Sequence, residues 1–526
     1  MAKSPNEVEI AVKLPHDRDA EVLALYGKQQ QFKRIFGFIP IVGLTCTLMI
    51  TWEGQLITFE GGLENGGSAG LVYGYLFIWI GNMLQAVVMA ELASMIPLSG
   101  GQYNWVAILS PASCSKFLSY LTGWMAVIGW QAVLASAGYL CGTMIQGIIA
   151  ICKPDYRFER WQGTLLAYGV ILLALFVNTL TKSLLPKIET AFLAIHVLGF
   201  AAVLTTLVVM APHANTAAVF QEFNNGGNWG GDGLSVFVGL TQTMFAFAGI
   251  DAASHLAEEI VDAPRTIPRS MLASVMLNGI LGWAMVIAVL FCIGNLEAAL
   301  NTPTGYPIIE IFLQATGSVG GAVGLTLILV LAAIFSITGI VTTASRMMWA
   351  FAREKGLPFS SFLSRVHPRS SLPLNSILVT TTISLLLNLI NIGSSVALNA
   401  LSSVVIAAFY ASFIISASVL LHKRMTTPAE DMNFGPFSLG RWGIPVIILT
   451  ITYSAIGLFF SFWPPGVNPN PTSMNWSVAV FGGSLIFSMG FWAVWGRDVY
   501  KGPIIEVSVL EERGLQRQGI RCETRE

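Results

Sequence analysis

Apolar residues are gathered along this chain into runs of about twenty, the length an α-helix needs to cross the hydrocarbon core of a bilayer. Twelve such runs lie near 36–58, 71–96, 117–150, 163–180, 188–211, 234–257, 271–294, 319–345, 374–392, 397–421, 443–463 and 477–496. The pattern predicts an all-α, polytopic membrane protein of about 12 transmembrane helices. Residues 1–35 and 498–526 are polar tails flanking a membrane domain at 36–497, and 1–35 lacks the apolar core of a cleavable signal peptide.

Composition agrees with the pattern. Of 526 residues, 54% are hydrophobic and only 11% charged, against about 25% charged in a soluble domain. The net charge of -1 excludes nothing, but the distribution of charge is informative. With a cytoplasmic N-terminus, twelve crossings place 25 of the 28 Lys and Arg on the cytoplasmic side, all but Lys153, Arg157 and Arg160. The positive-inside bias therefore sets both termini in the cytoplasm. It makes FWPPGVNPNPTSMNW, residues 462–476, an outer loop that holds the sequon beginning at Asn475. The six cysteines show no CxxC spacing, and no GxxxxGK[ST], HExxH or GxSxG motif occurs. No enzymatic chemistry, cofactor, metal site or nucleic-acid partner is expected.

The costly residues stand out against this background. Residues 245–259 read FAFAGIDAASHLAEE, in which Asp251, His255 and Glu259 are spaced i, i+4, i+8 and Glu258 follows His255 by three. On a helix these form one stripe. An ionisable residue in the bilayer costs on the order of 3 kcal/mol, so each should face a partner or a wet cavity. Glu258 and Glu259 have a simpler alternative, snorkelling to the surface to pair with Arg265 or Arg269. Gly249 precedes Asp251 by two, and Glu53 stands beside Gly54 in the first run, near Thr51 and Trp52. An acid beside a glycine in spans one and six fits a five-helix inverted repeat. Broken helices near the midplane expose backbone N–H and C=O groups to substrates, although glycine also serves close helix packing. His196 lies mid-span in the fifth run; histidine as a residue type titrates near neutral pH, and this one reads either as a proton carrier or as a hydrogen-bonded core residue. Glu189, two residues after Lys187, reads as a surface charge. Trp52, Trp124, Trp130, Phe245 and Phe247 offer ring faces that attract ammonium groups by roughly 0.5–2 kcal/mol, or else simply pack.

Three blocks carry a family resemblance: ELASMIPLSGGQYNWVA at 91–107, FAFAGIDAASHLAEEIVDAPRTIPRSM at 245–271 and SRMMWAFAREKGLPFSSFLSRVHPRSSLPLNSI at 345–377. In that order they resemble the fungal amino acid/choline transporter branch, GABA and choline permease-like, of the amino acid-polyamine-organocation superfamily. The resemblance implies a LeuT-like fold, with 36–211 and 234–421 as inverted repeats and 443–497 holding helices eleven and twelve. It implies a secondary transporter of a small amino acid or amine, coupled to protons, in the plasma membrane or an organelle membrane. An exporter on the same scaffold and a non-transporting nutrient receptor are the alternatives. Carried over, Phe245, Phe247, Ala248 and Gly249 line the substrate site with Thr51, Trp52, Glu53, Gly54 and Trp130. Asp251, His255 and Glu259 serve gating, and His196 serves coupling.

Overall fold

The computed structural model describes residues 18–180, 184–471 and 473–503. Two compact units are distinguished: Phe32–Pro503, which holds the membrane helices, and a smaller one that contains the helix Arg18–Leu25. The tail at 1–17 and residues 504–526 lie outside the described residues.

Among the described residues, eleven helices are long and apolar enough to cross a membrane. The first crossing is two helices, α1 (Phe38–Met49) and α2 (Thr51–Thr58). After α3 (Gly67–Met95), a short helix α4 (Gln102–Leu109) lies buried in the connection to α5 (Ser115–Cys152). Then come α6 (Arg160–Leu180) and α7 (Leu185–Met210). The run expected at 234–257 is not continuous: α8 (Asp232–Phe245) and the single turn α9 (Ala252–His255) are separated by six non-helical residues, 246–251. The second half continues through α10 (Ala263–Phe291), α11 (Pro307–Thr316), α12 (Val319–Arg353), α13 (Leu374–Asn388), α14 (Ser395–Thr426), α15 (Gly443–Phe460) and α16 (Ser477–Phe491).

Local chemistry explains several boundaries. Pro264 and Pro307 sit in the first turns of α10 and α11, where the missing N–H has no intrahelical use. The Ser318 side chain accepts from the N–H of Gly321 and caps α12. Burial then sorts the helices: 83% of the apolar window in Phe38–Thr58 is buried against 17% in Ser477–Val499, so the broken first crossing is central and the last one peripheral. Two isolated bridges tie the broken segments together, Phe36 with Ile260 at one end and Asn65 with Asn225 at the other. Residues 36–65 and 225–260 therefore cover the same thickness in opposite directions. Gly239 allows this approach, because a β-carbon there would collide with the carbonyl of Asn65.

Candidate functional site

The break between α1 and α2 falls on Ile50, held in the left-handed region at φ 33° and ψ 50°. A β-branched residue rarely adopts that conformation, so its surroundings must impose it. Asn278 on α10 accepts the N–H of Thr51 at 3.2 Å, while the N–H of Ile50 closes α1 on Cys46 O at 2.9 Å. The second break centres on Gly249 at φ 102°, a value that suits glycine. The two broken segments pack against each other at Gly54, where a β-carbon would make ordinary contact with that of Ala246 at 3.7 Å.

Where the breaks face each other lies a cavity of about 50 Å³, bordered by Leu48, Met49, Ile50, Gly54, Thr58, Phe245, Ala246, Ala248 and Ser336. No ionisable side chain lines it. It shares Ile57, Thr58 and Leu140 with a vestibule of about 650 Å³ at the Asn65 end, where Glu60, Glu64, Arg160, Phe158 and Trp463 stand. Of the residues expected to line the site, Gly54, Phe245 and Ala248 do so. Trp52 instead packs on His196 and Phe200, with ring centroids at 6.0 and 6.1 Å. Phe247 faces Tyr75 at 5.5 Å. Thr51, Glu53 and Gly249 border the breaks without lining the cavity, and Trp130 is wedged between Phe409 and His255, at 5.3 and 5.7 Å. Trp124 packs outward against Phe487 on α16.

The Phe36 end is closed. The N–H groups of Ile35 and Phe36 donate to Glu259 O at 2.9 and 3.0 Å, and Arg34 Nη1 donates to Ala257 O and Ile260 O. Asp251 Oδ2 accepts from Gln102 Nε2 at 2.6 Å and contacts His255 Nε2 at 3.0 Å, while His255 Nδ1 lies 3.2 Å from Ser99 O. A carbonyl can only accept, so Nδ1 carries a hydrogen. The Nε2–Oδ2 contact then requires a second proton on one of those two atoms. The carboxylates beyond do not snorkel. Glu258 pairs with Arg353 at 2.7 Å and Glu259 with Arg346 at 2.8 Å, all within the protein interior, whereas Arg265 pairs with Asp262 at 3.5 Å. Both arginines lie on α12, two turns apart, opposite consecutive acids; that spacing was the available signal. Gln102 and Ser99 gave none.

His196 and Glu53 meet at 2.7 Å, Nδ1 to Oε1, with both side chains at 0% exposure. The remaining atoms of the pair, His196 Nε2 and Glu53 Oε2, have no hydrogen-bond partner. Glu189 is buried at 1% exposure rather than on the surface, since α7 turns that face toward α1.

Residues 36–485 match the family described as amino acid permease. The chain belongs to that family. A Macrophomina phaseolina protein named for amino acid/polyamine transport is 32% identical over 442 residues, covering 84% of this chain and 97% of the relative. A choline transporter of Saccharomyces cerevisiae is 29% identical, covering 95% and 88%, and an amino-acid permease of Arabidopsis thaliana is 27% identical, covering 91% and 95%. The permease is thus a multi-pass membrane transporter with a LeuT-like fold, not an enzyme.

Proposed function

We propose that this permease carries a small zwitterionic amino acid or amine by alternating access and that protons drive its accumulation. The single observation behind the reading is the uncharged cavity where two broken helices end. A substrate held there meets helix termini instead of charged side chains: carbonyls at the ends of α1 and α8 suit an ammonium. Access from one end only, with ion pairs sealing the other, fits one state of an alternating cycle. The Glu53–His196 pair supplies the coupling proton site, because a carboxylate and an imidazole 2.7 Å apart can hold one proton between them. The charge asymmetry supports a cytoplasmic closed end and a vestibule open to the opposite side of the membrane.

Proteoliposome flux tests the reading. Labelled GABA, neutral amino acids, a polyamine and choline are offered with and without a pH gradient, and gradient-driven accumulation of a zwitterion is expected. Binding without flux for every member of the panel would instead make the protein a receptor. Glu60 and Glu64 at the vestibule favour a second substrate, a cation without a carboxylate such as choline. The Glu60 carboxyl is pushed above its ordinary value by burial and then by the neighbouring Glu64 charge. Acidification therefore discharges Glu60 before an ordinary carboxylate. Choline uptake should fall earlier with acid than uptake of a zwitterion, and Glu60→Gln should abolish that difference.

A further inference from the structure

Glu189, near the start of α7, is a further buried acid, and none of the roles above uses it. Its side chain is 1% exposed, and neither Oε1 nor Oε2 has a hydrogen-bond partner. The backbone of Glu189 lies so close to α1 that a β-carbon at Gly43 would collide with its carbonyl. Across the groove, a β-carbon at Gly339 on α12 would lie 3.8 Å from Oε1. One turn beyond Gly339, Thr343 Oγ1 is also buried and unpartnered. Thr47, whose hydroxyl lies beside this carboxyl group, gives its hydrogen to Gly43 O at 2.6 Å and has none left for a carboxylate.

Among the described residues, no cation answers this carboxyl group. On the elements packed against α7, the titratable and charged groups are Cys46 on α1, Arg265 and Arg269 on α10, Glu310 on α11, and Arg346 and Arg353 on α12. None is bonded to either oxygen of Glu189. Arg346 and Arg353 are engaged by Glu259 and Glu258. On α7 itself, Lys187 is exposed and His196, two turns away, is held by Glu53. A bare carboxylate sealed among apolar helices is strongly disfavoured, and the neutral acid is the form that fits.

We infer that Glu189 is a proton-binding site linked to closure of the α1 half of the first helix: it holds a proton while α1 covers it and releases that proton when α1 swings away. The inference rests on the alternating-access reading but not on the substrate or on the Glu53–His196 role. The cover can move because α1 ends at the strained Ile50, and its other end is held by Arg34 and by the Phe36–Ile260 bridge. Opening admits water to Glu189, which then ionises. Closure must take the proton back, so rising pH favours the opened end and falling pH favours the closed one.

Cys46 on α1 is fully buried and reports the opening. Nanodisc-embedded protein with Cys46 as its sole cysteine is alkylated with N-ethylmaleimide from pH 6 to 8. Each rate is divided by that of the SDS-unfolded protein at the same pH, which removes the ionisation of the thiol itself. The ratio should rise with pH, by at most roughly tenfold per unit for one linked proton. Glu189→Gln should flatten it, while Glu189→Asp and His196→Ala should keep it. Glu189→Gln mimics the protonated acid, so it should also fold and melt no lower than the unmutated protein. A flat ratio in the unmutated protein, or a Glu189→Gln protein that does not fold, overturns the inference. A rise that survives Glu189→Gln and vanishes in His196→Ala would assign the linkage to the Glu53 pair, leaving the coupling proposal intact and this one refuted.

Discussion

Glu53 and His196 reach each other from different helices, and the chemistry of the pair is a question of where one proton lies. With both groups at 0% exposure and 2.7 Å apart, removing the imidazole would leave a buried carboxylate without its partner, at a cost of about 3–5 kcal/mol. His196→Ala should therefore abolish accumulation driven by a pH gradient while exchange of labelled for unlabelled substrate continues. His196→Gln can still donate to Glu53 but cannot titrate. It should preserve folding and exchange without restoring accumulation, which counterflow and net-uptake measurements separate. Accumulation by the Gln variant would move coupling away from the pair. Phe247 calls for the opposite expectation. Its ring lies 5.5 Å from that of Tyr75, an aromatic contact worth about 0.5–1.5 kcal/mol. Phe247→Leu should lower the melting temperature and weaken an amine and its neutral analogue equally. Selective loss of the amine would return Phe247 to the binding surface.

The two broken helices show what a sequence can and cannot announce. The run at 234–257 advertised its break through Gly249 beside Asp251, and the chain does leave the helix there. In the first crossing the same reasoning pointed to Glu53 beside Gly54, near Thr51 and Trp52, whereas the break falls on Ile50, a β-branched residue ill suited to a positive φ. That choice is made by tertiary contacts, chiefly Asn278 taking the N–H of Thr51, and such contacts lie some 230 residues apart in the chain. The aromatic residues depend on tertiary packing in the same way: the helix break suggests that Trp52 points inward, and packing sets it against His196 on α7. The closed end is equally a matter of pairing between elements. Arg353 is held by Glu258 at 2.7 Å and lies over the ring of Trp349 at 4.4 Å. Arg353→Ala strands the Glu258 carboxylate and should weaken the closed arrangement by about 3–5 kcal/mol. Amide hydrogen exchange in residues 257–262 should speed up accordingly, and Glu258→Gln, which strands no carboxylate, should have a smaller effect. Unchanged protection in Arg353→Ala would show that the backbone bonds of Glu259 hold this end without the ion pairs.

At the scale of the whole molecule, the bridges Phe36–Ile260 and Asn65–Asn225 mark two ends with different chemistry. The Asn65 end carries the vestibule, whose rim includes Glu60, Glu64 and Trp463. The Phe36 end carries the buried arginine–glutamate pairs and, among the described residues, further basic side chains such as Arg34, Arg265 and Arg269. Between them, exposed apolar side chains such as Phe176, Leu198, Val209, Ile448 and Ile486 face outward, as a lipid-facing surface requires. If the basic end is cytoplasmic, the orientation that the positive-inside bias favours, the open vestibule faces the external medium and the sealed end faces the cytosol. The orientation can be tested in intact cells with a cysteine-free protein carrying one new cysteine at a time. An impermeant maleimide added outside should modify Ser473→Cys, which lines the vestibule, and leave Ser361→Cys, exposed beyond the basic end of α12, untouched until the membrane is opened. Saturating substrate should slow modification at position 473, because occupying the cavity favours the state that closes the vestibule. Reversed labelling would invert the topology and turn the uptake reading into one of export, with the same cavity loaded from the cytosol.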